Sequence, residues 1–365
     1  MARAAVWDDG LRPFYLLGAF DFVASLVWWA ASLAGWSQPL SSWWHGAEMI
    51  FGGSFAIAAG FLTTAVPKWT DRAVFSRAGL VALTGLWILS RAEHYLGGTA
   101  YSTPLFMAAL TIPIGLAIVR NGVTRQIILV AILALAILAS LCFITSDRSL
   151  ALWLAVCAFV LLISMIGARV VPTFINNARP DTAARSAPRF LEIATILITV
   201  AALALLADDQ TGAMARVFCF AAFTCHSARM FAWGVSRARG NALLAMLPLA
   251  YAWIPAGFLI GGLSQSARMA SLHAFTAGAM ATMMIAMMIR SARGHTGRAL
   301  AASSGDKIAF ALVYAGAVLR TAFAMGAPGW ALLPVSALLL ALAFVVFIIA
   351  HTRPLLSPRH SAPTS

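Results

Sequence analysis

Apolar runs of about 17 to 25 residues recur along this chain from Pro13 to the neighbourhood of His351, each the length a helix needs to cross the hydrocarbon of a bilayer. Strands of a membrane barrel would instead alternate over about ten residues, and no such alternation organises the sequence. The chain is therefore expected to be an all-α, polytopic helical membrane protein. Composition agrees: of 365 residues, 61% are hydrophobic and only 10% charged, an apolar share above that of ordinary soluble domains. Run lengths and breaker residues predict about twelve spans, at 13–36, 43–66, 78–97, 104–119, 126–145, 149–172, 189–207, 213–234, 242–263, 268–289, 307–326 and 329–351. The longest connections, 67–77, 173–188 and 290–306, carry Pro, Asn, Gly, Ser and charges. The middle one divides a single transmembrane domain, 1–365, into six-helix halves, 1–172 and 189–351. No repeat relates the halves. The segment 354–365 reads as a disordered tail, rich in Ser and Pro with no apolar face to bury.

The net charge of +13 does not indicate nucleic acid, because the basic residues sit in short connections rather than in one patch or stripe. They orient the chain. The N-terminal segment, the even-numbered connections and the C-terminal end hold Arg3, Arg12, Lys68, Arg77, Arg120, Arg125, Arg179, Arg185, Arg237, Arg293 and further cations, whereas the odd-numbered connections hold only Arg148, Arg216 and Arg268. The positive-inside rule then predicts cytoplasmic termini. The first apolar run is longer than a signal-peptide core, lacks a clear cleavage site, and is expected to remain as a span. Cys142, Cys157, Cys219 and Cys225 all lie in apolar runs without a Cys-x-x-Cys pair, so neither a disulfide framework nor covalent haem is indicated.

With that topology the rare polar residues become informative, since ionisable groups near hydrocarbon are costly and are retained for binding, proton handling or packed polar contact. His45 and Glu48 share a helical face at the outer end of the second span. Arg91, Glu93, His94 and Tyr95 lie at the outer end of the third, with Arg91, His94 and Tyr95 on one face. His273 enters the tenth span about five residues, or roughly 7 to 8 Å, below Arg268, and Arg320 lies at comparable depth in the eleventh. If these side chains face one another they form an outward-opening pocket; otherwise they are a belt of interfacial residues. Glu48 and Glu93 are both candidate partners for Arg91. His226, beside Cys225 and followed by Arg229 and Met230, is deep in the eighth span, where it is either a metal ligand or a structural histidine. Met280, Met283, Met284, Met287 and Met288 invite a soft-copper reading, but lipid-facing or gap-filling packing is the expected one. On the cytoplasmic side, Arg293, His295 and Arg298 with Gly294 and Gly297 form either a cradle for an anion or haem propionate or a capped turn.

Several blocks, in order, resemble the NnrS family of polytopic bacterial inner-membrane proteins: Leu11-Arg12-Pro13-Phe14-Tyr15-Leu16-Leu17-Gly18, Trp44-His45-Gly46-Ala47-Glu48-Met49, and the run from Ala59 through Val66-Pro67-Lys68-Trp69-Thr70. Gly167-Ala168-Arg169-Val170-Val171-Pro172-Thr173-Phe174, Tyr251-Ala252-Trp253-Ile254-Pro255, His273 and the block from Arg290 to Arg298 continue the match. Two positions depart from the family pattern: Ala47 stands where a second His follows Trp-His, and Leu247-Pro248 stands where Leu-His is common. His45, His226 and His273 match family positions, and His94 is a local substitute without family warrant.

The resemblance implies a multi-pass protein of the bacterial inner membrane that binds haem b, with copper as a further cofactor the family allows, and that serves the response to or tolerance of nitric oxide and nitrosative stress. It places one haem on His45 and His273, with Glu48 or Arg91 beside it and His226 separate. Two other readings stay open: a transporter using the His/Glu/Arg pocket as a proton or anion path, and a metal-free accessory protein that has lost part of the ligand set. No P-loop, Gly-x-Ser-x-Gly or His-Glu-x-x-His motif marks an enzyme. The expected surroundings are lipid and a small molecule such as nitric oxide, with no nucleic acid; oligomeric state stays open.

Overall fold

The computed structural model describes residues 5–123, 126–145, 147–178, 186–207 and 212–359. Among these the chain is helical without strands, as the run lengths predict. Twelve long helices follow one another: α1 Leu11–Leu33, α2 Ser42–Thr70, α3 Arg77–Tyr95, α4 Ser102–Arg120, α5 Ile127–Thr145, α6 Arg148–Ala178, α7 Arg189–Ala207, α8 Gly212–Ala232, α9 Ala242–Leu263, α10 Arg268–His295, α11 Ser304–Ala324 and α12 Leu332–Leu356. Ten of them are long and apolar enough to cross a membrane. The other two, α3 and α8, are 19 and 21 residues long. Each carries internal charge, Arg91 and Glu93 on α3 and Arg216 and Arg229 on α8, which dilutes its apolar content.

Large apolar side chains are exposed along these helices, among them Phe20, Leu105, Ile112, Leu197, Val217 and Ile349, while Arg12, Glu48, Arg91, His226 and Arg229 are buried. Water would penalise that inversion; a lipid surround favours it. The chain is a multi-pass membrane protein.

Local sequence accounts for the helix ends. Ser41, Ser76 and Asn241 accept backbone N–H bonds from Trp44, Gly79 and Leu244, and Ser303 with Asp306 forms a reciprocal capping box on α11. Prolines do not end these helices: Pro67, Pro172 and Pro354 lie inside α2, α6 and α12. The expected disordered tail is corrected accordingly. Residues 354–356 complete α12, Leu355 is buried, and Arg12 Nη1 donates to the Leu355 and Ser357 carbonyls at 2.9 and 2.6 Å. Residues 360–365 lie outside the described chain, as do Arg3, Arg125, Arg179 and Arg185.

Two compact units emerge. One holds the described residues through Ala158, Met288–Ala299 and those from Phe344 onward; the other holds Phe159–Met287 and Leu300–Ala343. They are not the consecutive halves 1–172 and 189–351, because α6, α10 and α12 each contribute to both. Two helices widen locally into π segments, α2 over Glu48–Ser54 in the first unit and α10 over Ala274–Met280 in the second. Such segments rotate the residues on either side of them and recur at functional positions.

A buried polar centre and its family

In the first unit, α1 and α2 approach closely because small residues meet at their contact: a Cβ on Gly18 would come within 2.8 Å of Ile57, and one on Gly53 within 2.6 Å of the Phe22 ring. This brings Asp21 of α1 beside Glu48 at the head of the π segment. Glu48 is fully buried, and its Oε1 accepts from Arg91 Nη1 at 2.9 Å. Arg91 Nη2 donates to Thr103 Oγ1 on α4 at 3.0 Å, and its Nε and Nη2 lie 3.3 Å from Ser90 Oγ. His94 Nε2 stands 3.7 Å from the same Glu48 oxygen, too far for a hydrogen bond. Glu93 takes no part: it accepts from the Ser102 backbone N–H and hydroxyl at 2.9 and 2.6 Å, capping α4. Of the two candidate partners, Glu48 is the one that pairs with Arg91.

Aromatic rings close this centre. Trp28 stacks on Tyr95 at 5.7 Å, Trp44 on His94 at 5.9 Å and Trp29 on His45 at 4.4 Å. Tyr95 donates to Asp21 Oδ1 at 3.3 Å. A small recess lies on the α4–α5 side, lined by Ala47, Phe51, Arg91, His94, Thr103 and Phe143 among others. Sequence reasoning placed His45, Glu48, Arg91 and His94 at one level, and the first unit does gather Glu48, Arg91 and His94. It overlooked Asp21, whose signal was present as the single acid in the run from Leu11 to Leu33.

In the second unit, Arg320 of α11 donates through Nη2 to Nε2 of His273, immediately before the π segment of α10. His226 is fully buried with both nitrogens engaged, Nε2 with Thr199 Oγ1 at 2.9 Å and Nδ1 with the Tyr251 hydroxyl at 2.6 Å, and its ring stacks on Phe258. In this arrangement neither nitrogen is open to a metal. Arg229, also buried, donates to the Ser164 hydroxyl and carbonyl, lies 3.5 Å from Glu192, and sits over Trp233 and Tyr251. His45 and His273 belong to different units.

The glycine-rich block at the end of α10 is a cap. Arg298 N–H donates to the Arg293 carbonyl at 2.9 Å across Gly297, whose φ of +73° only glycine adopts freely. Arg293 Nη1 donates to the Ala299 carbonyl, and His295 joins Lys68 at 2.9 Å and Asp9 at 3.2 Å. These contacts support the turn over the anion cradle.

A profile of the NnrS protein family matches residues 5–359, nearly the whole chain. The chain belongs to the NnrS family. No curated protein matches it. For this NnrS protein the donor chemistry separates the two expected metals. Haem needs one axial imidazole; Arg320 can only donate, so His273 Nε2 is the unprotonated nitrogen and its lone pair is held by Arg320, which would have to release it to a metal. Copper needs several N or S donors, and among the described residues no three of His, Cys, Asp and Glu converge. His226 is committed elsewhere, and Met280, Met283, Met284 and Met288 are buried in packing.

Proposed function

We propose that this chain is a haem-b-binding protein of the bacterial inner membrane that contributes to tolerance of nitric oxide. Family membership over nearly the whole chain is the observation that carries this reading. His273 and His45 are the axial-ligand candidates, Arg320 is suited to a haem carboxylate once its imidazole is taken, and Glu48, Arg91 and His94 form a polar centre in the first unit. Haem would supply an iron that binds nitric oxide; the chain's own residues hold it, keep water away with Trp28, Trp29 and Trp44, and fix charge nearby. The proposal includes twelve spans with cytoplasmic termini. For α3 and α8 it rests on exposed apolar side chains, Val81, Ile88 and Leu89 on one and Val217, Phe220 and Phe231 on the other. For orientation it rests on the distribution of cations.

The biological test is complementation. A strain lacking this gene should lose growth under a nitric oxide donor, regain it with the wild-type gene, and fail to regain it with His273→Ala expressed at equal level. Equal growth with and without the gene would overturn the role. A fully buried Glu48–Arg91 pair within membrane helices favours one second reading, a proton-coupled transporter; donor sensitivity with normal haem but altered solute uptake would select it.

A further inference from the structure

The Glu48–Arg91 pair leaves a residue of charge unaccounted for. Asp21, almost wholly buried, brings a second carboxyl to the same centre. Its Oδ1 accepts from Tyr95, but Oδ2 has no hydrogen-bond donor; Glu48 Oε1 accepts from Arg91, but Oε2 has none. Both orphaned oxygens point to one place. A Cβ on Gly52 would stand 2.5 Å from Asp21 Oδ2, 2.7 Å from Glu48 Oε2 and 3.0 Å from Arg91 Nη1. Both oxygens thus flank the same point, each within 2.7 Å of it. Gly52 leaves the space between them open, and it stands four residues after Glu48, on the same face of α2.

Two ionised carboxylates cannot face each other in a buried site without a positive charge or a proton between them. Arg91 balances one. No neighbouring group balances the other. Arg148 lies over the Phe143 ring, 5.7 Å from its centroid. An imidazolium at His94 would leave its Nε2–H buried with no acceptor in range, 3.7 Å from an oxygen already held by Arg91. Tyr95 and Thr103 are neutral. A metal cation at the Gly52 position would press against the Arg91 guanidinium. We propose that Asp21 and Glu48 hold one proton between them over Gly52, a carboxyl donating through its O–H to the neighbouring carboxylate, so that the pair and Arg91 together are neutral. This is a proton-binding site inside the membrane-spanning part of the first unit. Tyr95, half-buried at the outer end of α3 and donating to Asp21, is its hydrogen-bonded link toward the outside.

The site is independent of the haem reading, because none of its residues is needed as an axial ligand. Infrared spectroscopy of the protein in lipid tests it at neutral pH, where a protonated carboxyl gives a C=O stretch that moves on deuteration and that ionised carboxylates lack. Wild type should show one such band assignable to this pair. Asp21→Asn and Glu48→Gln, each confirmed folded by circular dichroism and a single elution peak, should each lose it, since one remaining carboxylate is balanced by Arg91. Gly52→Ala should shift the band, because the added methyl separates the oxygens. Absence of the band in wild type, its persistence in both single variants, or its appearance only after removal of sodium and potassium would overturn the proposal. If one carboxyl variant fails to fold, the other, with Gly52→Ala, carries the assignment.

Discussion

Arg91 is the residue on which three helices of the first unit depend, through Glu48 on α2, its own position on α3 and Thr103 on α4. Removing one partner of a buried ion pair strands the other, at a cost of about 3–5 kcal/mol. Arg91→Ala should therefore destabilise the protein by that order, seen as a lower unfolding midpoint in detergent, whereas Glu93→Ala should cost only about 1 kcal/mol as a lost cap. Equal effects would contradict the assignment of roles. His226→Ala should deprive the buried Tyr251 hydroxyl of its imidazole partner, costing about 1–3 kcal/mol, while Thr199 keeps its bond to the Thr195 carbonyl and any haem spectrum is unchanged. A lost haem band would return His226 to the ligand set. At this scale the sequence was half legible. Spacing put His45, Glu48, Arg91 and His94 at one level, because depth follows from helical rise. Which carboxylate pairs with Arg91, and that both nitrogens of His226 are spent, depend on contacts between helices that no spacing along one helix encodes. Asp21 was readable in principle as a lone acid between Phe20 and Phe22.

At the scale of elements, the all-helical succession was foreseen, ten of its helices being long and apolar enough to span, and the errors are concentrated at helix ends. Pro67, Pro172 and Pro354 read as breakers, yet α2, α6 and α12 run through or past them. A membrane helix tolerates proline where neighbouring groups and local adjustment satisfy the freed carbonyls. The π segments at Glu48–Ser54 and Ala274–Met280 left no periodic trace, since one extra residue in a uniformly apolar run does not disturb a hydrophobic pattern. Their position matters for function: one begins at Glu48 and the other directly after His273. Topology belongs to this scale too. Reporter fusions after Arg359 should report the cytoplasm, and fusions near Tyr101, between α3 and α4, the opposite side. An extracytoplasmic C-terminus would remove the outward-facing centre from the account.

At the scale of the whole molecule, the chain has two units, each with a π-containing helix beside an imidazole and a guanidinium: His94 and Arg91 near α2 in one, His273 and Arg320 on α10 and α11 in the other. Family membership was legible from ordered sequence blocks. The composition of the units was not, because α6, α10 and α12 each serve both. The most direct measurement is the haem content of the purified protein, expressed with ample haem, by its optical spectrum and a pyridine haemochrome assay. The account predicts a Soret band and bound haem b in stoichiometric amount, reduced or reshaped by His273→Ala or His45→Ala and untouched by His226→Ala. Wild-type protein that is folded and monodisperse but free of haem would contradict it.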